Sequence, residues 1–258
     1  MKIELEQKKL IEILDCLSVD GIYPFSIITV KDGVLFSIQT DKDGFTYRYV
    51  KFERDNFKEI SDEEESVKID VEKIKGFAGL RAADDIITLE YPSPISKNKI
   101  QILSKRFRTN IAVTKIDDDE IKRGLPFKLK DKVPYVNKGQ TALDTHITIS
   151  LKSFRQMVDC ASKHGTEFYR FKIGKDRKLE ILVGDINKRD DFTSIEPNCT
   201  VNNVNEELDV TFTKGVKELA KVLSRDIDIH LRSNMPAWIT ELSHNHKFGV
   251  LISPVRGE

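Results

Sequence analysis

The sequence is poor in the features that announce chemistry. Three cysteines, Cys16, Cys160 and Cys199, stand among 258 residues with no C-x-x-C spacing. That odd, scattered set excludes a disulfide framework and the common zinc-binding runs. Cys16 and Cys160 fall within apolar helical patterns and are expected to be small core residues. Trp238 is the only tryptophan and is expected in a sheet or at its edge. No apolar run approaches the ~18 residues of a spanning helix, so no membrane partner is expected. The opening MKIELEQKKL has neither the apolar segment nor the cleavage site of a secretory leader. A reducing, cytoplasmic setting is therefore expected. Net charge is absent too, with 42 Lys+Arg against 42 Asp+Glu. A uniformly basic nucleic-acid binder is excluded, and charge distribution becomes the informative quantity.

Catalytic signatures are equally missing. None of G-x-x-x-x-G-K-[ST], G-x-G-x-x-G, G-x-S-x-G or H-E-x-x-H occurs. His244-x-His246 offers two ligands on one strand face but has no third His or Cys nearby. The carboxylates of DDDE (117–120) lack a neighbouring phosphate-binding loop, and SDEEES (61–66) reads as a solvated run. We expect no enzyme, no metal and no cofactor.

What is present is a repeat. KKLIEILDCLSVDG (8–21) returns as SFRQMVDCASKHG (153–165), with Asp15-Cys16-x-Ser18-x-x-Gly21 matching Asp159-Cys160-x-Ser162-x-x-Gly165 at an offset of 144. Leu10, Ile13, Leu14 and Leu17 face Phe154, Met157, Val158 and Ala161, the spacing of an amphipathic helix. Beyond them Lys31-Asp32 and Leu35 face Lys175-Asp176 and Leu179, at a turn between two strand-like runs. Seven identities fall in the 26 columns from 10 to 35, where ordinary composition gives about one or two. A second pair, VKIDVEKIKGFAGLRAADDIITLEY (67–91) and ELDVTFTKGVKELAKVLSRDIDIHLRS (207–233), reads strand, helix, turn, strand. Each half thus carries two helices of roughly ten to thirteen residues among short strands, which indicates α+β with helices gathered on one face of antiparallel sheet. Between the halves, TKIDDDEIKRGLPFKLKDKVPYVNKGQ (114–140) reads as an exposed connector, with an apolar island at Leu125-Pro126-Phe127 that suggests docking.

Charge is segregated onto the helices. Residues 7–17 balance, whereas 71–81 and 151–164 carry +2 each and 213–225 carry +3. The remainder of the chain must be acidic. In the last helix Lys214, Lys217 and Lys221 line a face apart from the stripe of Val216, Leu219, Ala220 and Leu223. A basic face on three of four helices suits contact with phosphates, and the lack of base-reading pairs or stacking aromatics suits contact without sequence readout.

This order of elements resembles the proliferating cell nuclear antigen family of DNA sliding clamps, of archaeal or viral type. The local matches are KKLIEIL (8–14), DDIITLEY (84–91), FRQMVDCASKHG (154–165), VTFTKGVKELAKVL (210–223) and GVLISPV (249–255). The resemblance covers nearly the whole chain and implies the DNA clamp fold, two similar domains each with two helices on antiparallel sheet. It divides the chain into a clamp domain at 1–116, a connecting loop at 117–134 and a clamp domain at 135–258. It also implies a ring of three subunits, a homotrimer here, with helices lining a channel for duplex DNA. The ring would serve as a processivity factor for DNA polymerase and other clients, placed by a clamp-loader ATPase. The alternatives are a subunit of a heterotrimeric checkpoint-type clamp or a polymerase accessory that does not encircle DNA.

Carried onto this chain, the resemblance makes Lys8, Lys9, Lys73, Lys163 and Lys217 channel-facing. Lys75, Arg81, Lys152, Arg155, Lys214, Lys221 and Arg225 are their expected neighbours. Asp159 departs from the family by placing an acid where a base is usual, and Asp15 is likewise acidic. The implied client pocket comprises Leu125, Pro126, Phe127, Pro236, Leu251, Ile252, Ser253 and Pro254. Ring closure would use edge strands, with 101–114 and 169–184 as candidates.

Overall fold

The computed structural model describes residues 1–117, 128–130, 133–136, 139–184, 192–204, 206–213, 215–241 and 246–255. The chain divides into two compact units. One comprises Met1–Gln39, Arg48–Gly124 and Ser243–Phe248; the other comprises Thr40–Tyr47, Leu125–Leu242 and Gly249–Glu258. Among the described residues no helix is long and apolar enough to cross a membrane.

The first unit begins with β1 (Lys2–Glu6), α1 (Gln7–Ser18), β2 (Phe25–Lys31), β3 (Val34–Thr40) and β4 (Thr46–Phe52). It continues with β5 (Glu59–Ile60), β6 (Glu65–Asp70), α2 (Val71–Ala78), β7 (Ile86–Glu90), β8 (Lys99–Ser104) and β9 (Phe107–Ala112). One sheet runs β5-β1-β7-β8-β9 and another set runs β4-β3-β2-β6. The second unit repeats the plan. Its elements are β13 (Thr145–Ile149), α3 (Leu151–Lys163), β14 (Tyr169–Ile173), β15 (Leu179–Gly184), β16 (Phe192–Ile195), β17 (Cys199–Asn203), β18 (Leu208–Phe212), α4 (Val216–Val222), β19 (Ile227–Leu231), β20 (Ala237–Glu241) and β21 (His246–Ile252). Here the orders are β17-β13-β19-β20-β21 and β16-β15-β14-β18. Strand for strand, these are the orders of the first unit, so the sequence repeat is a repeat of topology.

Helices α1 and α3 occupy the 144-residue offset; the shared glycine ends α3 as expected, whereas α1 turns left-handed already at Val19 and Asp20, before Gly21. After α3, Gly165 is left-handed (φ +66°). Its N–H reaches Ser162 O at 3.1 Å while Thr166 N–H reaches Ala161 O at 3.1 Å, the paired bonds of a Schellman stop. Capping is local at two other ends. Asp70 accepts from the Lys73 N–H at the start of α2, and Ser150 from the Ser153 N–H at the start of α3. The second helices are shorter than the sequence reading, 8 residues in α2 and 7 in α4. Gly79 follows α2, and Leu223 turns extended after α4, so Arg81 and Arg225 stand on exit turns. The connector also differs from expectation. It carries β10 (Lys128–Lys130), paired antiparallel with β11 (Val133–Val136), which pairs in turn with β12 (Thr141–Ala142).

Cores form where alternating strands meet the apolar helix stripes. Leu10, Ile13, Leu14 and Leu17 are each at most 2% exposed in the first unit, as are Phe154, Met157 and Ala161 in the second. Cys16 is buried, whereas Cys160 and Cys199 are half-buried. Trp238 lies within β20, as expected.

Arg48 is an exception to this apolar rule. It is wholly buried on β4, where alternation turns it inward with Val50 and Phe52. Its Nη1 donates to Ser26 Oγ at 2.9 Å and its Nη2 to Ser37 Oγ at 2.5 Å, while Cζ sits 4.7 Å above the Tyr23 ring. Burial pushes the guanidinium down to about 10. Both serines also donate to backbone carbonyls, of Leu17 and Ile27. Their hydroxyls therefore stay satisfied without the cation. Arg48→Met is expected to change stability by less than about 1.5 kcal/mol, while Arg48→Ala, which opens a cavity, costs about 3 kcal/mol in urea unfolding. Equal losses would mean that the cation's own hydrogen bonds hold this core.

A second polar cluster lies on the sheet of the other unit. His146 and His230 face one another across β13 and β19, with ring centroids 4.5 Å apart and planes within 5°. Asp228 Oδ1 lies 3.1 Å from His146 Nε2 and accepts from Thr148 Oγ1 at 2.7 Å. Burial, with His146 alongside, pushes the His230 imidazole down to about 4. The unfolded chain therefore binds this proton first. Stability is full above about pH 6.5 and falls as pH drops toward 4, by about 3 kcal/mol. Urea midpoints between pH 7 and 4 should show this loss, and His230→Phe, which stacks but cannot titrate, should flatten the profile.

Candidate nucleic-acid interface

Each helix buries one stripe, so its charges can stand only on the other side. On α1, Lys8 is exposed, while Lys9 is held by Glu12 at 3.0 Å and lies 5.4 Å above the Phe52 ring. On α2, Lys73 is exposed and Lys75 bonds Asp15 of α1 at 2.7 Å. That hydrogen bond holds the Lys75 ammonium above its ordinary range. Asp15 thus serves as a tie between the two helices. Arg81, on the exit turn, stacks 4.5 Å above Phe107.

In the second unit Lys152 and Lys163 are exposed on α3, as is Arg225 beyond α4. Lys217 reaches Glu167 at 3.4 Å, and Lys221 is exposed. Lys214 lies outside the described residues. The Arg155 guanidinium is turned onto backbone carbonyls of α4 and its exit, donating to Ala220 O and Leu223 O. Lys8, Lys73, Lys152, Lys163 and Arg225 make no side-chain ion pair or hydrogen bond among the described residues. Asp159 is exposed and likewise unpaired there. The eleven expected cations among the described residues therefore separate into an unpaired set and a set tied to protein groups. Exposed, unpaired ammonium groups keep their full charge for an external anion.

The expected client residues fare unevenly. Leu125, Pro126 and Phe127 lie outside the described residues. Leu251 and Ile252 are interior residues of β21, 4% and 1% exposed, so they support the surface from beneath. Pro236, Ser253 and Pro254 are half-buried. The Ser253 N–H donates to Phe45 O at 2.8 Å and the Val255 N–H to Thr211 O at 2.8 Å. Phe45 (51% exposed) is thereby joined to the C-terminal segment. Sequence reasoning missed it; the one signal was an aromatic residue in a turn of Asp and Gly, KDGF (42–45).

The edge strands correct one expectation. β9 is an edge of its sheet, within the expected 101–114. Within 169–184, however, β14 and β15 are interior strands, and the edges of that sheet are β16 and β18.

Two solved structures match this arrangement from end to end. One is the crystal structure of proliferating cellular nuclear antigen from Entamoeba histolytica, with TM-score 0.78 and 11% identity over 99% of this chain and 98% of that one. The other is A. fulgidus PCNA with the C-terminal region of FEN-1 bound, with TM-score 0.74 and 16% identity over 100% of this chain and 99% of that one. This chain has the PCNA clamp fold. No family model and no curated protein matches the sequence. At such low identity the clamp fold is carried by topology and burial pattern, with most side chains exchanged.

Proposed function

We propose that the chain is a subunit of a DNA sliding clamp, a processivity factor that encircles duplex DNA and tethers DNA polymerase and other replication or repair clients. The observation that carries this reading is the set of exposed, unpaired cations on the clamp-fold helices of a chain whose net charge is zero. Lys8, Lys73, Lys152, Lys163 and Arg225 would face the phosphates, with Lys9, Lys75, Arg81, Lys214, Lys217 and Lys221 beside them. Contacts of this kind are sequence-independent and weaken steeply with salt. Enclosure, rather than affinity, would keep the ring in place, and the chain would need no catalytic group.

In this reading 1–116 and 135–258 are the two clamp domains, joined by a connecting loop at 117–134. Three copies would close a homotrimer by pairing β9 of one subunit with β16 of the next, both being sheet edges. A clamp-loader ATPase would open and place the ring. One structural neighbour holds the C-terminal region of FEN-1, and clients here would dock a comparable short segment. Phe45, Pro236, Ser253 and Pro254 would receive it above Leu251 and Ile252, and Leu125, Pro126 and Phe127 are proposed as further client-binding residues.

Light scattering across a concentration series should give about 89 kDa, three times the 29.6 kDa of one chain. The protein should then stay on closed circular DNA and slide off linear DNA. A monomer at every concentration would sink the self-closing ring, and equal loss from both DNA forms would sink encirclement. Asp159→Lys, which adds a cation to the exposed face of α3, should steepen the salt dependence of duplex binding by about 1 in the log–log slope. An unchanged slope would place α3 away from the phosphates.

A further inference from the structure

Helix α4 spans only Val216–Val222, and other parts of its unit build its exit. Leu223 is extended (φ −65°, ψ 136°), so carbonyls at this end leave the helical ladder. Arg155 of α3 takes two of them, its Nε donating to Ala220 O at 3.2 Å and its Nη2 to Leu223 O at 2.9 Å. Two more ties fix the same turn. The Ser224 N–H and hydroxyl both donate to Glu241 Oε1 of β20, at 3.0 and 2.6 Å. Asp226 Oδ1 accepts the N–H of Leu151, the first residue of α3, at 3.1 Å. Residues 223–226 are thus held from α3 at two points and from β20 at a third. Arg225 stands inside this turn, exposed and without an ion pair among the described residues. Lys221 follows directly on Ala220 and is exposed.

We infer that Arg155 is a positioning residue that aims Lys221 and Arg225 at duplex phosphates and does not itself bind phosphate. The inference rests on the proposed clamp reading. A seven-residue helix is too short to hold its shape unaided, so its end follows whatever grips it. A guanidinium suits the grip because its donors form a rigid fork and its charge complements a helix carboxyl end. Two of those donors are spent on carbonyls, while the residue itself stays exposed. The first unit solves the problem differently, with Gln7 Nε2 of α1 donating to Ala78 O at the end of α2, at 3.3 Å, and the Asp15–Lys75 pair alongside. Arg155 is therefore particular to the second unit, although both units place an arginine on the exit turn, Arg81 in the first and Arg225 in the second.

The test is equilibrium binding of a fluorescent duplex between ~50 and ~200 mM salt by Arg155→Lys, Arg155→Met and the pair Lys221→Gln/Arg225→Gln, alone and combined. Circular dichroism checks that each variant is folded. If Arg155 positions the two cations, Arg155→Lys and Arg155→Met both weaken binding about tenfold and lower the salt slope by about 2, since each phosphate contact contributes about 0.9. Neither should add to the loss from the Lys221/Arg225 pair. Arg155→Lys matching the wild type would make residue 155 a direct phosphate contact and overturn the inference, as would losses that add. Wild-type binding by every Arg155 variant would also overturn it, leaving Arg155 a support of the fold alone. Should Arg155→Met fail to fold, Arg155→Lys and its combination with the pair decide the matter. A wild-type protein with no salt-dependent affinity for duplex would instead sink the clamp reading, and this inference with it.

Discussion

Everything in this chain depends on a constraint carried by its helices: each has one apolar stripe and must bury it. Leu10, Ile13, Leu14 and Leu17 form that stripe on α1, and Phe154, Met157, Val158 and Ala161 form it on α3. Strand alternation answers this with one inward and one outward side chain per step. Once the stripes are covered, the position of the charges is settled. The cations of Lys8, Lys73, Lys152 and Lys163 can stand only on the opposite side of their helices. The acids that neutralise the chain are drawn largely from strands and turns. Segregation of charge in a protein of zero net charge is therefore a consequence of helix geometry as much as of composition.

The polar ties within each unit hold that geometry. Lys75 and Asp15 link α2 to α1, and Arg155 and Asp226 link the end of α4 to α3. These join helices too short or too irregular at their ends to fix themselves. Arg48 does similar work inside the first unit, bonding hydroxyls on β2 and β3 from β4. Such groups add little net energy for their burial, because desolvation offsets most of what their hydrogen bonds return. Their effect is to select one arrangement among several of nearly equal apolar burial.

What was legible in the sequence followed from local periodicity. The 3.6-residue stripe located α1 and α3 within a residue or two, and the glycine of Asp-Cys-x-Ser-x-x-Gly marked the exit of α3, while α1 leaves through left-handed Val19 and Asp20. The repeated order of strands and helices was readable because both copies keep the same alternation. The rest depends on partners distant in sequence. Nothing near Arg155 signals that it will reach Ala220 and Leu223, some 65 residues on. Nothing in 169–184 shows that β16 will cover β15 and become the edge. Lysines and alanines carry the helical pattern past the ends of α2 and α4, whereas Gly79 follows the first and Leu223 turns extended after the second. Leu251 and Ile252 read as pocket residues by position, and their burial on β21 depends on packing that the sequence does not display. The connector hairpin escaped notice because Pro134 and the surrounding charge hide a strand pattern.

The single tryptophan has a use beyond packing. Trp238 is 5% exposed, and its ring lies over Gly249, where any Cβ would meet it at 2.2 Å. Only glycine leaves room for the indole to rest on the neighbouring strand. All of the chain's indole fluorescence therefore arises from one site, in the β20–β21 pair of the second unit. Emission reports the melting of that unit, while far-ultraviolet dichroism reports both. The separation between the two melting curves measures how far the halves of a duplicated chain have come to fold as one.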